Sequence, residues 1–173
     1  SAKLREKHPN LSIEIYSEST RKIVRELNDF SLDAGILYFD NGDPETTVKL
    51  YEERYVFIAP KSLTVSKEKQ ITWAEGAQIP LCLLTQNMKN RQLIDRHFLE
   101  LEISPSIVTE ASDFTAVLAQ VAAGNAATIA PVSVAETFLD LKSTKQLDLM
   151  EFVLLCLCCV LSCFSRHYVV HYY

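Results

Sequence analysis

Basic residues are too few here for a chain that would grip nucleic acid by itself. Lys and Arg number 17 against 22 Asp and Glu, a formal net charge of −5, whereas phosphate neutralisation needs a basic face or stripe. Glycine (4) and proline (6) are scarce too, which excludes collagen-like, low-complexity and turn-dense all-β sequences and leaves regular elements dominant. No run of 18 uncharged apolar residues occurs, and charge recurs every few positions over the first 30 residues. Neither a spanning helix nor a signal peptide is read, and the expectation is a soluble, cytoplasmic protein with no membrane partner. Gly-x-Ser-x-Gly, His-Glu-x-x-His, a phosphate loop and Gly-x-Gly-x-x-Gly are all missing, so the chain is not read as an enzyme and no cofactor is expected.

Cysteine is unevenly spread. Cys82 stands alone, while Cys156, Cys158, Cys159 and Cys163 crowd into the last 22 residues. An odd total without a secretory signal argues for a reduced chain rather than a disulfide framework. Cys156-x-x-Cys159 holds one possible metal-ligand spacing, and a helical tail would add Cys163, His167 and His171 on one face. The run is too apolar for a closed zinc ribbon and lacks turn residues between ligand pairs, so no metal site is expected.

What is present is apolar periodicity, 48% of the residues against 23% charged. Ala2–His8 reads as the end of an amphipathic helix stopped by Pro9. Leu11, Ile13 and Ile15 alternate as in a strand. Ser17–Thr20 supplies cap chemistry for a helix with Ile23, Val24, Leu27 and Phe30 on one face, and Leu32–Phe39 is a buried strand, so that a right-handed βαβ unit is predicted. Two more strands follow at 48–52 and 54–59. Residues 61–80 read as a loop-rich connection, and Leu81–Leu84 as a buried strand. Thr85-Gln86-Asn87 is expected to cap a helix from Arg91 to Leu101, with Leu93, Ile94, Phe98 and Leu101 inward. A strand at 106–110 leads to Ser112-Asp113 capping a helix that ends at Gly124-Asn125. The remaining elements are the strand Thr128–Ala130, a helix from Val132 to Leu141 and a strand at 147–149. Two α/β units thus appear, divided near residue 60, with polar caps where strands hand over to helices. In open α/β sheets ligands bind at those carboxyl ends.

His8-Pro9-Asn10, Ser19-Thr20, Leu32-Asp33-Ala34-Gly35-Ile36, Glu53 before Tyr55-Val56-Phe57-Ile58, Arg91 to Phe98, and Val121-Ala122-Ala123-Gly124 running to Ile129-Ala130-Pro131 resemble, in this order, the effector-binding domain of LysR-type transcriptional regulators. The resemblance covers roughly residues 3–150. It implies two Rossmann-like subdomains with a type 2 periplasmic-binding-protein-like fold. Residues 1–59 and 146–173 are expected to form subdomain I, with its N-terminal strand missing and an atypical C-terminal tail, and 60–145 subdomain II. A small, anionic effector in the cleft between them would rearrange a homodimer or homotetramer, and DNA would be reached only through a helix-turn-helix domain absent from this chain. A stand-alone solute-binding protein of the same fold is the alternative.

The resemblance also picks out candidate effector contacts. Ser19 and Thr20, and Thr85 and Asn87 at the matching junction, either contact an anion at a helix N-terminus or merely cap. Ser112, Asp113 and Phe114 open the next helix, where Asp113 alternatively only caps and Phe114 is only core. Thr128 is the last candidate. Three departures stand out: Phe30-Ser31 occupies a usual glycine position, alanine replaces a second glycine at 126 or 127, and the tail from Phe152 onward matches nothing in the family. That tail reads as out-of-frame sequence, packed opportunistically on the first subdomain or left partly exposed.

Overall fold

Helices and strands alternate along the chain much as the periodicity requires. The computed structural model describes residues 2–38, 47–63, 70–138, 144–149 and 155–161. Among these the helices are α1 (Ala2–Lys7), α2 (Thr20–Asn28), α3 (Trp73–Ala77), α4 (Lys89–Glu100), α5 (Phe114–Ala122) and α6 (Val132–Phe138). The strands are β1 (Ala34–Tyr38), β2 (Thr47–Glu53), β3 (Tyr55–Pro60), β4 (Gln70–Ile71), β5 (Leu81–Leu84), β6 (Ile107–Ala111), β7 (Thr128–Pro131), β8 (Thr144–Leu149) and β9 (Leu155–Leu161). The chain divides into two compact units, Ser1–Glu52 with Leu155–Tyr173, and Glu53–Leu154. The sequence reading drew these boundaries at 59/60 and 145/146. β3 and β8 fall in the second unit because they are hydrogen-bonded neighbours there.

In the first unit, Ile23 and Leu27 of α2 pack on Leu32 and Leu37. The helix comes so close to β1 that a Cβ on Gly35 would lie 2.7 Å from Ile23 Cγ2. The strand predicted over Leu11–Ile15 does not form: residues 11–19 enter no ladder among the described residues, and Ile15 and Tyr16 are exposed. Alternation makes a strand only where a neighbouring backbone supplies hydrogen bonds. β1, expected as the parallel partner of that strand, pairs antiparallel with β9 instead, from Ala34–Leu161 to Tyr38–Leu157. The sheet order is β1-β9-β2. Part of the atypical tail is thus a strand of this sheet. Residues 162–173, with Cys163, His167 and His171, lie outside the described ones.

The second unit is wound around β3. This strand pairs antiparallel with β7 on one side and β8 on the other, and β4 joins β8 in parallel. β5 and β6 pair in parallel, and a parallel bridge from Leu81 to Ala127 ties β5 to the start of β7. The strands therefore run β6-β5-β7-β3-β8-β4 with β3 alone reversed. Val56, Ile58 and Ala130 meet Leu118 and Val121 of α5 and Val134 and Ala135 of α6 on one face. On the other, Phe57 lies against Gly76 of α3, and Trp73 sits edge-on to His97 and Phe98 of α4 at ring distances of 4.4 and 4.9 Å. The 61–80 stretch, read as loop-rich, contains β4 and α3. A reciprocal box starts α3, with Thr72 Oγ1 accepting from the Glu75 N–H and Glu75 accepting from the Thr72 N–H. Leu101, expected inward, is the C-cap of α4 and exposed.

Helices α2, α4 and α5 end alike. In α2 the Phe30 N–H bonds to Leu27 C=O and the Ser31 N–H to Glu26 C=O. Glu102–Leu99 with Ile103–Phe98, and Gly124–Val121 with Asn125–Gln120, repeat this pattern. It is the Schellman closure, which places its C′ residue in the left-handed region. Gly124 meets that demand without strain at φ 84, but Phe30 (φ 60) and Glu102 (φ 56) carry a Cβ there. The turn at Phe30-Ser31 keeps its shape without glycine, at a conformational cost. Phe30, 63% exposed, offsets little of it by packing. Phe30→Gly and Glu102→Gly are each expected to stabilise their unit by about 0.5–1 kcal/mol, measured as a higher urea midpoint at unchanged m value; a lower midpoint would show these side chains hold the turns in place.

Candidate functional site

Because β5, β6 and β7 run parallel, their carboxyl ends share one edge of the second unit's sheet, and the reversed β3 begins there. Five of the predicted residues follow those ends. Thr85 leaves β5, its N–H bonded to Ala111 C=O and its C=O to the Met88 N–H. Asn87 is exposed in the same turn. Ser112 and Asp113 leave β6, with Ser112 Oγ 3.3 Å from Asp113 Oδ2. Asp113 caps α5, accepting from the Ala116 N–H at 2.9 Å, and half-buried Phe114 packs against the Val56–Leu118 cluster. Thr128 is set apart, fully buried at the amino end of β7, where it pairs with Ile58; its Oγ1 has no hydrogen-bond partner among the described residues. In the first unit Ser19 is the N-cap of α2 with extended backbone (φ −66°, ψ 145°), its side chain makes no capping bond, and Thr20 opens the helix.

The expected cap of α4 is displaced. Thr85-Gln86-Asn87 form a turn, the helix starts at Lys89, and Met88 occupies the cap position with no side-chain bond to offer. The first turn carries no acid and two bases, Lys89 and Arg91. That inverts the usual preference of a helix N-terminus for negative charge. Helices α3 and α5 have side-chain caps, whereas α2 and α4, one in each unit, leave their first-turn N–H groups without one.

Several side chains the sequence reading passed over hold this edge together. Arg91, 3% exposed, donates to Leu84 C=O at 2.8 Å, to Glu110 Oε1 at 2.5 Å and to Asp95 Oδ1 at 2.7 Å, fastening the ends of β5 and β6 to α4. Burial opposes its charge, but the Asp95 and Glu110 carboxylates outweigh that and raise its pKa further. Asn90 Nδ2 donates to Tyr55 Oη at 2.7 Å, linking α4 to the start of β3. Ser133 Oγ donates to buried Glu53 Oε1 at 2.7 Å, and the Val132 N–H to Arg54 C=O at 2.8 Å, so that the start of α6 is fixed to the chain entering β3. A signal for Asn90 existed: it stands four residues before Ile94 and eight before Phe98, on the helix's apolar stripe. Cys82 is fully buried, and burial pushes its thiol pKa up, the reverse of what a reactive thiolate needs.

A family model for the LysR substrate binding domain matches residues 1–154. The chain belongs to that family, which is one of transcriptional regulators. Its domain has a type 2 periplasmic-binding-protein-like fold, and the mixed α/β units described above accord with it. Among curated proteins, the probable RuBisCO transcriptional regulator of Trieres chinensis is 24% identical over 147 residues, 79% of this chain but 47% of the relative; the chain thus spans about half that protein's length. The Synechocystis PCC6803 CcmR regulatory domain in complex with 2-PG has a TM-score of 0.80 at 12% identity, over 96% of this chain and 81% of the other. A Corynebacterium glutamicum OxyR C206 mutant gives 0.77 at 19%, covering 95% and 53%. Among the described residues no helix is long and apolar enough to cross a membrane, and no group of His, Cys, Asp and Glu could hold a metal ion.

Arg91→Met keeps the aliphatic stem but leaves Leu84 C=O and two carboxylates without their donor. It is expected to destabilise the second unit by about 2–4 kcal/mol, read from chemical denaturation. A loss within experimental error would mean that water replaces the guanidinium without cost.

Proposed function

We propose that this chain is the effector-sensing domain of a cytoplasmic LysR-type transcriptional regulator, binding a small anionic metabolite without transforming it. DNA contact belongs to a helix-turn-helix domain elsewhere in the longer protein. The observation that carries this reading is the pair of uncapped helix N-termini: in α2, Ser19 sits at the cap with its hydroxyl not engaged in capping, and in α4 no acid balances the first turn. Helix N-termini with free N–H groups take carboxylates and phosphates. Thr20, Thr85 and Asn87 stand beside these turns and supply further donors. Ser112 and Phe114 flank the same edge as lesser contacts, with Asp113 serving as the cap of α5, and Thr128 contributes only if the effector reaches the amino end of β7. That a neighbour of the same fold is a regulatory domain in complex with 2-PG supports a small anion as ligand, and the regulator among the curated relatives favours this reading over a stand-alone solute-binding protein.

An effector controls a regulator only through unequal affinity for its states, and a homo-oligomer supplies states to choose between. β6 carries no second neighbour among the described residues, and Val108 on it is 55% exposed; a strand edge of this kind pairs readily with another chain. The oligomer is read as a homodimer or a tetramer built from such pairs.

The test is a thermal-shift titration of the 173-residue chain with small carboxylates and phosphate esters, alongside sedimentation. At about ten times its Kd a specific anion stabilises by about 1.4 kcal/mol, a rise of several degrees. Sedimentation should show a dimer that Val108→Lys shifts to monomer with the fold intact by circular dichroism. No response to any anion would sink the sensor reading, and a monomer at high concentration the oligomer.

A further inference from the structure

The chain passes from the first unit to the second at Glu52–Glu53, and it does so almost without a linker. β2 runs to Glu53 and β3 opens at Tyr55, so that Arg54 alone separates two strands of different sheets. Burial changes abruptly at the same step: Glu52 is exposed, whereas Glu53 is 2% exposed. A carboxylate withdrawn from water needs hydrogen-bond donors to remain there. Glu53 Oε1 accepts one from Ser133 Oγ at 2.7 Å, across 80 residues of sequence. The peptide group beside it is held as well, since Arg54 C=O accepts from the Val132 N–H at 2.8 Å. β3 and β7 are paired up to Tyr55–Pro131, so Arg54–Val132 and Glu53–Ser133 continue that register for two further steps, and a side-chain bond takes over where the backbone ladder ends. Both donors belong to the first two residues of α6, which follows the carboxyl end of β7 without a break.

We infer that the Glu53–Ser133 bond is a latch that fixes where the two units pivot: from Glu53 onward the crossing strand is held by the second unit, and bending falls on the Glu52–Glu53 step. Units joined by a short crossing move relative to one another by default, and a hinge consists of the few residues left free to change their backbone angles. The latch decides which residues those are. Its donor lies in the turn directly after the carboxyl end of β7, on the edge that the sensor reading assigns to the effector. The use of the latch rests on that reading: a group bound against the α6 turn biases the two units through Glu53. The latch itself stands on its own bonds, so its test needs no ligand, and its failure leaves the sensor reading intact.

The experiment measures the spread of distances between two spin labels, one on each unit, in the full 173-residue chain. The labels replace Arg25 and Leu99, whose side chains are exposed, and are attached through ketone-bearing residues so that the native cysteines stay untouched. Dilution with unlabelled chain restricts the signal to distances within one molecule, and hydrogen exchange at the Val132 amide is followed alongside. Ser133→Ala removes the donor; it should widen the distance distribution and speed exchange at Val132 by about tenfold. Ser133→Thr, which restores a hydroxyl, should return both to the wild-type values. Glu53→Gln keeps an acceptor of the same size without the charge and should fall between. A merely structural bond would lower the denaturation midpoint of Ser133→Ala and leave the width where it was. That result overturns the latch, as does a Ser133→Thr chain as broad as Ser133→Ala. Should Ser133→Ala not fold, Glu53→Gln decides: a wider distribution upholds the latch and an unchanged one refutes it.

Discussion

The second unit depends on the pairing of β3 along both of its sides. All six of its residues are buried, so every peptide group on it must find a protein partner, and β7 and β8 supply these in complementary antiparallel registers. The consequences run outward from there. Because both neighbours oppose β3, they are parallel to each other, and β5, β6 and β4 inherit that direction through their own parallel contacts. A sheet with one reversed strand brings the carboxyl ends of the others to one edge, and the polar turns gather there for want of any other place. The start of β3 lies at that edge too, which is why Tyr55 reaches Asn90 and why Glu53 and Arg54 reach the opening turn of α6.

How much of this could be read beforehand depended on whether a signal was local. The cores of α2, α4 and α5 and the strands β1, β3, β5 and β7 follow from apolar spacing, and Asp113 from an acid standing just before an apolar period. Leu11–Ile15 misled because alternation reports which face could be buried and says nothing of whether a partner strand exists. The β1–β9 pairing could not have been foreseen, since it joins residues separated by most of the chain. α3 was legible but overlooked: Thr72-x-x-Glu75 is a capping box, yet a helix of five residues shows no period to draw attention to it.

The site divides in the same way. Polar residues after strands were visible as caps, and Thr85, Asn87, Ser112 and Asp113 do lie at such junctions, while Ser19 stands before α2 with no strand ahead of it. What the sequence left open was which of them already had an occupation. Asp113 does, since its carboxylate holds the Ala116 N–H; Ser19 is not engaged as a cap. The α4 cap was misplaced because Thr85-Gln86-Asn87 has the composition of both a turn and a cap, and only the ladder to Ala111 fixes it as a turn, moving the cap on to Met88.

Arg91 and Asn90 are adjacent on one helix and show opposite solutions to burying a polar group. Arg91 is costly to desolvate but is met by a carbonyl and two carboxylates, so it stiffens the edge whether or not anything is bound. Asn90 is half-met, and the turn before it is uncapped and carries a positive charge at the wrong end of the helix dipole. The same unit holds other exceptions: buried Thr128 Oγ1 has no hydrogen-bond partner among the described residues, and Glu102 takes a left-handed backbone. Arg91, the rigid member, fixes where α4 begins relative to β5 and β6. A sensor needs that: without it, the first-turn donors of α4 would have no fixed direction.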